Sequence, residues 1–369
     1  MKTTIHAFLR TTLLRPLAIA ITIIGSTAAT AQTTISNYRP GTTPEGAVYF
    51  LPKTALRISV LVEKTTYQPG DFAPFAQRYL RVADVSQEPA TAFRVVDIQQ
   101  TAMPMADTTK VYAVKFDART VAARLSLADD GRLLGLNIDD ADDAETPAAF
   151  IAAPKAEPVN PRQYMSEEIL SCGSTAKMAE LTAHEIYDTR ENRSLLVKGQ
   201  ADFMPQDGEQ MKLMLAELDR QDRALTSLFL GTTHRDTTEH ILWVVPDGPF
   251  PRKVLFRLSQ VHGLVEPDDL SGAPYYISVD DITQLPAAQE NPKARKAAPK
   301  QGIYVNVPGR LRATIYEGIQ PLQTVEHPAA QLGETLLLSA DLFNKRYATR
   351  LWLNALTGAV ERLDADQPK

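Results

Sequence analysis

The chain has one cysteine, Cys172, so no disulfide can form within it. It also lacks long apolar runs: past the N-terminal segment nothing approaches the roughly 20 residues that cross a bilayer as a helix. A basic surplus is missing too, with 39 Lys and Arg against 44 Asp and Glu, a net charge of −5. That balance excludes a general attraction for nucleic acid or anionic lipid. No H-E-x-x-H, G-x-S-x-G, Walker loop or dinucleotide fingerprint occurs, so the common signatures of metal, hydrolase and nucleotide chemistry are absent, and no cofactor is expected.

What is present begins with a targeting segment. Lys2, Arg10 and Arg15 precede an apolar run over 17–24, and Ala29-Thr30-Ala31 offers the small residues of a cleavage site. Residues 1–31 therefore read as a signal peptide, with Gln32 as the mature N-terminus. Removing the three cations takes the net charge from −5 to −8. The apolar run is too short for an anchor, and no cysteine follows it to accept a lipid. The expected protein is exported to the periplasm or cell surface and soluble there. A chain without bridges in that compartment has to rely on buried core.

The organising stretch lies over 174–231. Met211, Met214, Leu215, Leu218, Leu225, Leu228 and Phe229 recur at helical spacing, Asp207 with Gln210 forms a capping box, and Gly231 closes the end. The preceding helix has Ser174 as its cap, a stripe of Ala176, Ala179, Ala183, Ile186 and Tyr187, and Gly199 at its end. The short 200–206 connection predicts an antiparallel pair. Nearly everything else alternates as strand.

The fold class expected is α+β, two β-rich domains flanking a long helical hairpin. In order, 32–45 is a flexible leader and 46–138 an N-terminal β-rich domain. Residues 139–163 form an acidic, then Ala/Pro-rich linker, which reads as solvated or as a loose calcium loop. The hairpin occupies 164–231, and 232–366 is a C-terminal β-rich domain with a basic loop at 286–301. Two passages echo each other: 46–60 (GAVYFLPKTALRISV) and 302–315 (GIYVNVPGRLRATI). A duplication would explain this, and so would the recurrence of strands, turns and proline in any β protein.

Three constellations could carry function. Ser174 and Lys177 fit S-x-x-K, in which a helix-start serine gives its proton to a lysine one turn on; Tyr304-Val305-Asn306 could stand for a Y-x-N element, but no K-T-G triplet occurs. Ser174 is equally explained as a cap. Glu180, His184 and Asp188 share one helix face as possible metal ligands, or as a solvated face. Tyr275, Tyr276 and Trp352 could stack on sugars or serve as cross-strand aromatics. Cys172 reads as a small packing residue.

The passages YFLPKTAL (49–56), EKTTY (63–67), AQRYL (76–80), MPQDGE (204–209), LDRQ (218–221) and LFLGTT (228–233) resemble, in order, an uncharacterised secreted family of Bacteroidetes, a domain of unknown function. The resemblance implies an exported envelope protein. It supplies no activity and no catalytic residue. Together these readings favour a non-catalytic binding or scaffold component with an envelope protein or glycan as partner. The alternatives are a serine acyl-transfer enzyme using Ser174 and Lys177, and a glycan-binding module.

Overall fold

The computed structural model describes residues 34–38, 47–115, 124–152, 154, 159–205, 207–284, 302–339 and 348–366. The signal segment and the basic 286–301 loop lie outside them. The described chain is β-rich, with three antiparallel sheets and a group of helices.

The first sheet has the order β1-β3-β2-β6, from β1 (Thr34–Asn37), β2 (Ala47–Gln68), β3 (Ala90–Lys115) and β6 (Thr232–Val244). The second is β11-β10-β9-β7-β8, from β7 (Phe250–Ser259), β8 (Gly263–Val265), β9 (Ala273–Asp281), β10 (Gly302–Glu317) and β11 (Gln320–Ser339). The third, β13-β12-β5-β4, is built from β4 (Leu125–Leu127), β5 (Leu133–Leu136), β12 (Ala348–Leu353) and β13 (Val360–Asp366). The first and third sheets therefore each combine strands from both sides of the helices. Thr34–Asn37, expected within a flexible leader, instead forms β1 and pairs with the end of β3.

Alternation decides what each face does. In β2, Leu56, Ile58, Val60 and Val62 turn inward; in β10, Leu311, Ala313 and Ile315 do the same. With Phe256, Tyr275, Ile277 and Val279 they form the core where the first two sheets face each other. On the opposite face of β10, Arg310 and Arg312 both reach Glu326 of β11 across the ladder. A second core joins Tyr49, Leu51 and Val114 to Leu133, Leu136, Leu351 and Leu353, so the third sheet packs on the other end of the first.

β2, β3, β10 and β11 run through prolines, which sit at register shifts or on strand edges. Pro52 adjoins a register shift in β2, and Pro308 falls in another in β10. Pro104 of β3 pairs with β2 well before β1 begins on the other side, and Pro321 and Pro328 lie on the edge strand β11.

The helices gather at one end of the first sheet. They are α1 (Ala76–Tyr79), α2 (Glu167–Leu170), α3 (Thr175–Lys198) and α4 (Gly208–Leu230). Asp207 Oδ1 accepts from Gln210 N at 2.7 Å, capping α4. Gly199 ends α3 at φ +70°, a left-handed conformation that a Cβ would strain. Ala179, Ala183 and Ile186 of α3 pack with Leu225, Leu228 and Phe229 of α4 and with Phe72 and Ala76. Phe72 N donates to Leu228 O at 2.7 Å, fastening the pair to the segment that leaves β2.

The acidic linker is partly docked, not simply solvated. Asp143 accepts from Nη2 of the buried Arg132 at 3.0 Å, and Asp139 pairs with Arg124. Further on, Phe150 N donates to Glu239 Oε2 at 3.1 Å, while Glu239 Oε1 accepts from Arg57 and Ser59. These bonds, that from Ser59 foremost, hold the Glu239 carboxyl below its usual range.

Candidate functional site

Ser174 stands at the N-cap position of α3 in extended conformation, but its side chain makes no capping hydrogen bond. It is exposed, as is Lys177, whose ammonium lies 3.3 Å from Glu180 Oε1. Asn306, the supposed third element, is 1% exposed in the join between sheets, where Nδ2 donates to Pro52 O and Thr357 O. Tyr304 stacks on Tyr112 with centroids 4.3 Å apart. The sheet core thus claims the Y-x-N residues, and the helix start keeps Ser174 and Lys177 on its surface.

His184 and Asp188 are exposed on α3, and Glu180 is engaged by Lys177. Among the described residues no three His, Cys, Asp or Glu side chains converge to hold a metal. Cys172 is half-buried, with Sγ 3.2 Å from Glu168 O.

The aromatic candidates divide. Tyr275 is buried, stacked on Phe256 at 4.6 Å, and donates to Glu317 at 2.9 Å; burial and that carboxylate push its hydroxyl pKa up. Its ring is therefore not available to a sugar. Tyr276 is half-buried within β9. Trp352 has the Arg362 guanidinium 4.8 Å over its ring.

The charges of the helix pair are spent largely on each other. Arg190 meets Asp222 at 2.7 Å, Arg193 meets Asp219 at 2.6 Å, and Gln221 donates to Glu185. From Arg190 to Arg193 along α3 the partner on α4 steps back from Asp222 to Asp219. Glu217 is taken by Arg220 and by the Tyr164 hydroxyl.

Two features escaped the sequence reading. At the end of the pair remote from Gly231, Leu195, Leu196, Phe203, Met214 and Leu218 line an open groove of about 450 Å³. Phe203 in its lining is 63% exposed, and Val197 and Leu213 on the same two helices are 61 and 75% exposed. The repeat of Met211, Met214, Leu215 and Leu218 signalled an apolar face, and only the structure shows that no described residue covers it fully. The second feature is Trp243, 53% exposed at the rim of a separate cleft. Its strand alternates in the ordinary way, so the sequence carries no mark that sets it apart.

The profile of one protein family, described as Domain of unknown function (DUF4831), matches residues 45–361. No curated protein and no solved structure matches the chain. Among the described residues no helix is long and apolar enough to cross a membrane.

Proposed function

We propose that this chain, which belongs to the DUF4831 family, is an exported, non-catalytic binding component of the cell envelope whose partner sits in the groove at the free end of α3 and α4. The observation that carries the reading is the exposed Phe203 in a groove floored by Leu195, Leu196 and Met214, with Val197 and Leu213 exposed on the same two helices. Apolar patches of this kind on an otherwise charged surface favour a partner. Two helices side by side leave a trough suited to a third, so the occupant we infer is an amphipathic helix of another envelope protein, inserting residues at i, i+3 and i+4. Met214 adds an adaptable wall. The cross-helix ion pairs support this division of labour, since arginines engaged with Asp219 and Asp222 are poorly placed to recruit a charged partner.

A photocrosslinking residue replacing Leu213 in the producing cells is expected to give one discrete adduct. A synthetic helix from the captured protein should bind the purified chain, and Phe203→Asp should abolish that binding while leaving the circular dichroism unchanged. Absence of a discrete adduct, or peptide binding indifferent to Phe203→Asp, overturns the reading. Export is tested by fractionation and N-terminal sequencing, with Gln32 expected first.

Acyl transfer through Ser174 is not adopted, because Lys177 is held by Glu180 and the serine opens onto solvent. Fluorophosphonate and labelled penicillin are expected to leave the protein unmodified. Labelling that disappears in Ser174→Ala would replace the binding reading with an enzymatic one.

A further inference from the structure

We infer that the cleft beside Trp243 is a carbohydrate site, with the indole as a platform for a pyranose ring. The cleft has a volume of about 510 Å³ and is lined by Trp243, Pro246, Asp247, Phe250 and Lys253, among others. That lies within the roughly 300–1,000 Å³ of small-ligand sites.

The walls are held in place. Gln331 Nε2 donates to Pro246 O at 2.8 Å and to Thr54 O at 2.9 Å, while its Oε1 accepts from Thr54 N at 2.9 Å. The turn after β6 is thereby tied to the edge strand β11 and to β2. On the other side β7 carries register shifts between Phe250 and Lys253 and between Val254 and Phe256, which re-aim its side chains next to the cleft. A binding wall fixed in this way loses little freedom when a ligand arrives.

Ligand class follows from the chemistry of the lining. Trp243, half exposed, presents an electron-rich face, and the polarised C–H bonds on one side of a sugar ring are attracted to such a face. Asp247 is exposed and has no hydrogen-bond or ion-pair partner among the described residues, so it can accept from a pair of hydroxyls. Lys253, with its ammonium 4.6 Å from the Phe250 centroid, keeps donors for ring or hydroxyl oxygens. A purely apolar peptide would have to desolvate that carboxylate and ammonium without pairing them. A phosphate ligand would find a single lysine beside a carboxylate, in a chain of net charge −5. A neutral polyol with an apolar face satisfies all three groups at once.

The chain has two tryptophans, so Trp352→Phe leaves Trp243 as its only indole reporter. The full-length Trp352→Phe protein is titrated with cello-, chito-, manno- and xylohexaose up to about 10 mM, the weak end of specific binding. A saturable change in emission with at least one of them is expected, weakened roughly tenfold or more by Asp247→Ala. Calorimetry on Trp243→Ala, checked by circular dichroism for an intact fold, should then show no binding heat. No saturable response to any of the four, or a response that survives both Asp247→Ala and Trp243→Ala, overturns the assignment.

Discussion

His327 sits in β11 with its ring buried and with Nε2 lacking a partner among the described residues. Burial in this setting disfavours the imidazolium and lowers the pKa below its ordinary 6.5. The folded state therefore holds the ring neutral, while the unfolded chain protonates it near that value. Stability from this group is complete above about pH 6.5 and is lost as the pH falls below it, because the unfolded state binds the proton first. Melting temperature is expected to fall between about pH 7 and pH 5.5, and His327→Leu should flatten that interval. A profile unchanged by the substitution would locate the acid sensitivity elsewhere. Glu63, held low chiefly by its hydrogen bond from Arg94, and Glu239, held low chiefly by Ser59, act in a lower window. Their contribution is present above about pH 4.5 and disappears only as the pH drops through their depressed values.

At the scale of elements, the helix pair separates interactions that look alike on a list of contacts. Leu225 is fully buried between α3, α4 and the Phe72 segment. Leu225→Ala removes apolar burial and leaves a cavity, at a cost of about 3 kcal/mol. Asp219 pairs with Arg193 at 2.6 Å, but both side chains remain more than two-fifths exposed. Asp219→Ala should leave the denaturation midpoint nearly where it is, since exposed ion pairs are screened and lose side-chain entropy. Urea unfolding of the two variants checks the ranking, and a larger loss in Asp219→Ala would mean the pair is structurally coupled beyond its contact. The helices were legible in the sequence for local reasons: Asp207, Gly199 and Gly231 act on their own neighbours, and the apolar spacing of α4 is strong. The strands were legible only in pieces. Pro52, Pro104 and Pro308 lie inside β2, β3 and β10, and whether a proline costs a ladder bond depends on a neighbouring strand that local sequence does not specify. The candidate sites fared likewise. Tyr275 and Trp243 are both aromatic residues in alternating strands, and only the structure shows that the first stacks on Phe256 in the core while the second lies on the face of β6 opposite the core-facing Leu242 and Val244.

The whole molecule is tied together by strands that cross the regions into which the sequence divides. β2 is flanked by β3 from its own region and by β6 from beyond the helices, and β5 pairs with β12, more than two hundred residues later. Where the sheets meet, Asn306 donates to Pro52 O and Thr357 O, its own backbone N–H donates to Gly358 O, and Tyr49 accepts from Tyr304 N at 3.1 Å. A fragment ending at residue 163 would keep β2 and β3 but lose β6, β12 and the whole sheet that covers Leu56, Ile58 and Val60. Along Leu56–Val62 that leaves only the β2–β3 pair, because β1 meets β3 at its far end, and the exposed apolar face of so long a two-stranded stretch is not independently stable. Residues 32–163 and 164–366, produced separately, are therefore each expected to unfold without a cooperative transition. Refolded together from denaturant, they should recover strand dichroism and one shared melting transition, because the register between β2 and β6 is set by the inward face and needs no covalent link. A cooperative transition in 32–163 alone would show that the first sheet closes its core without the later strands.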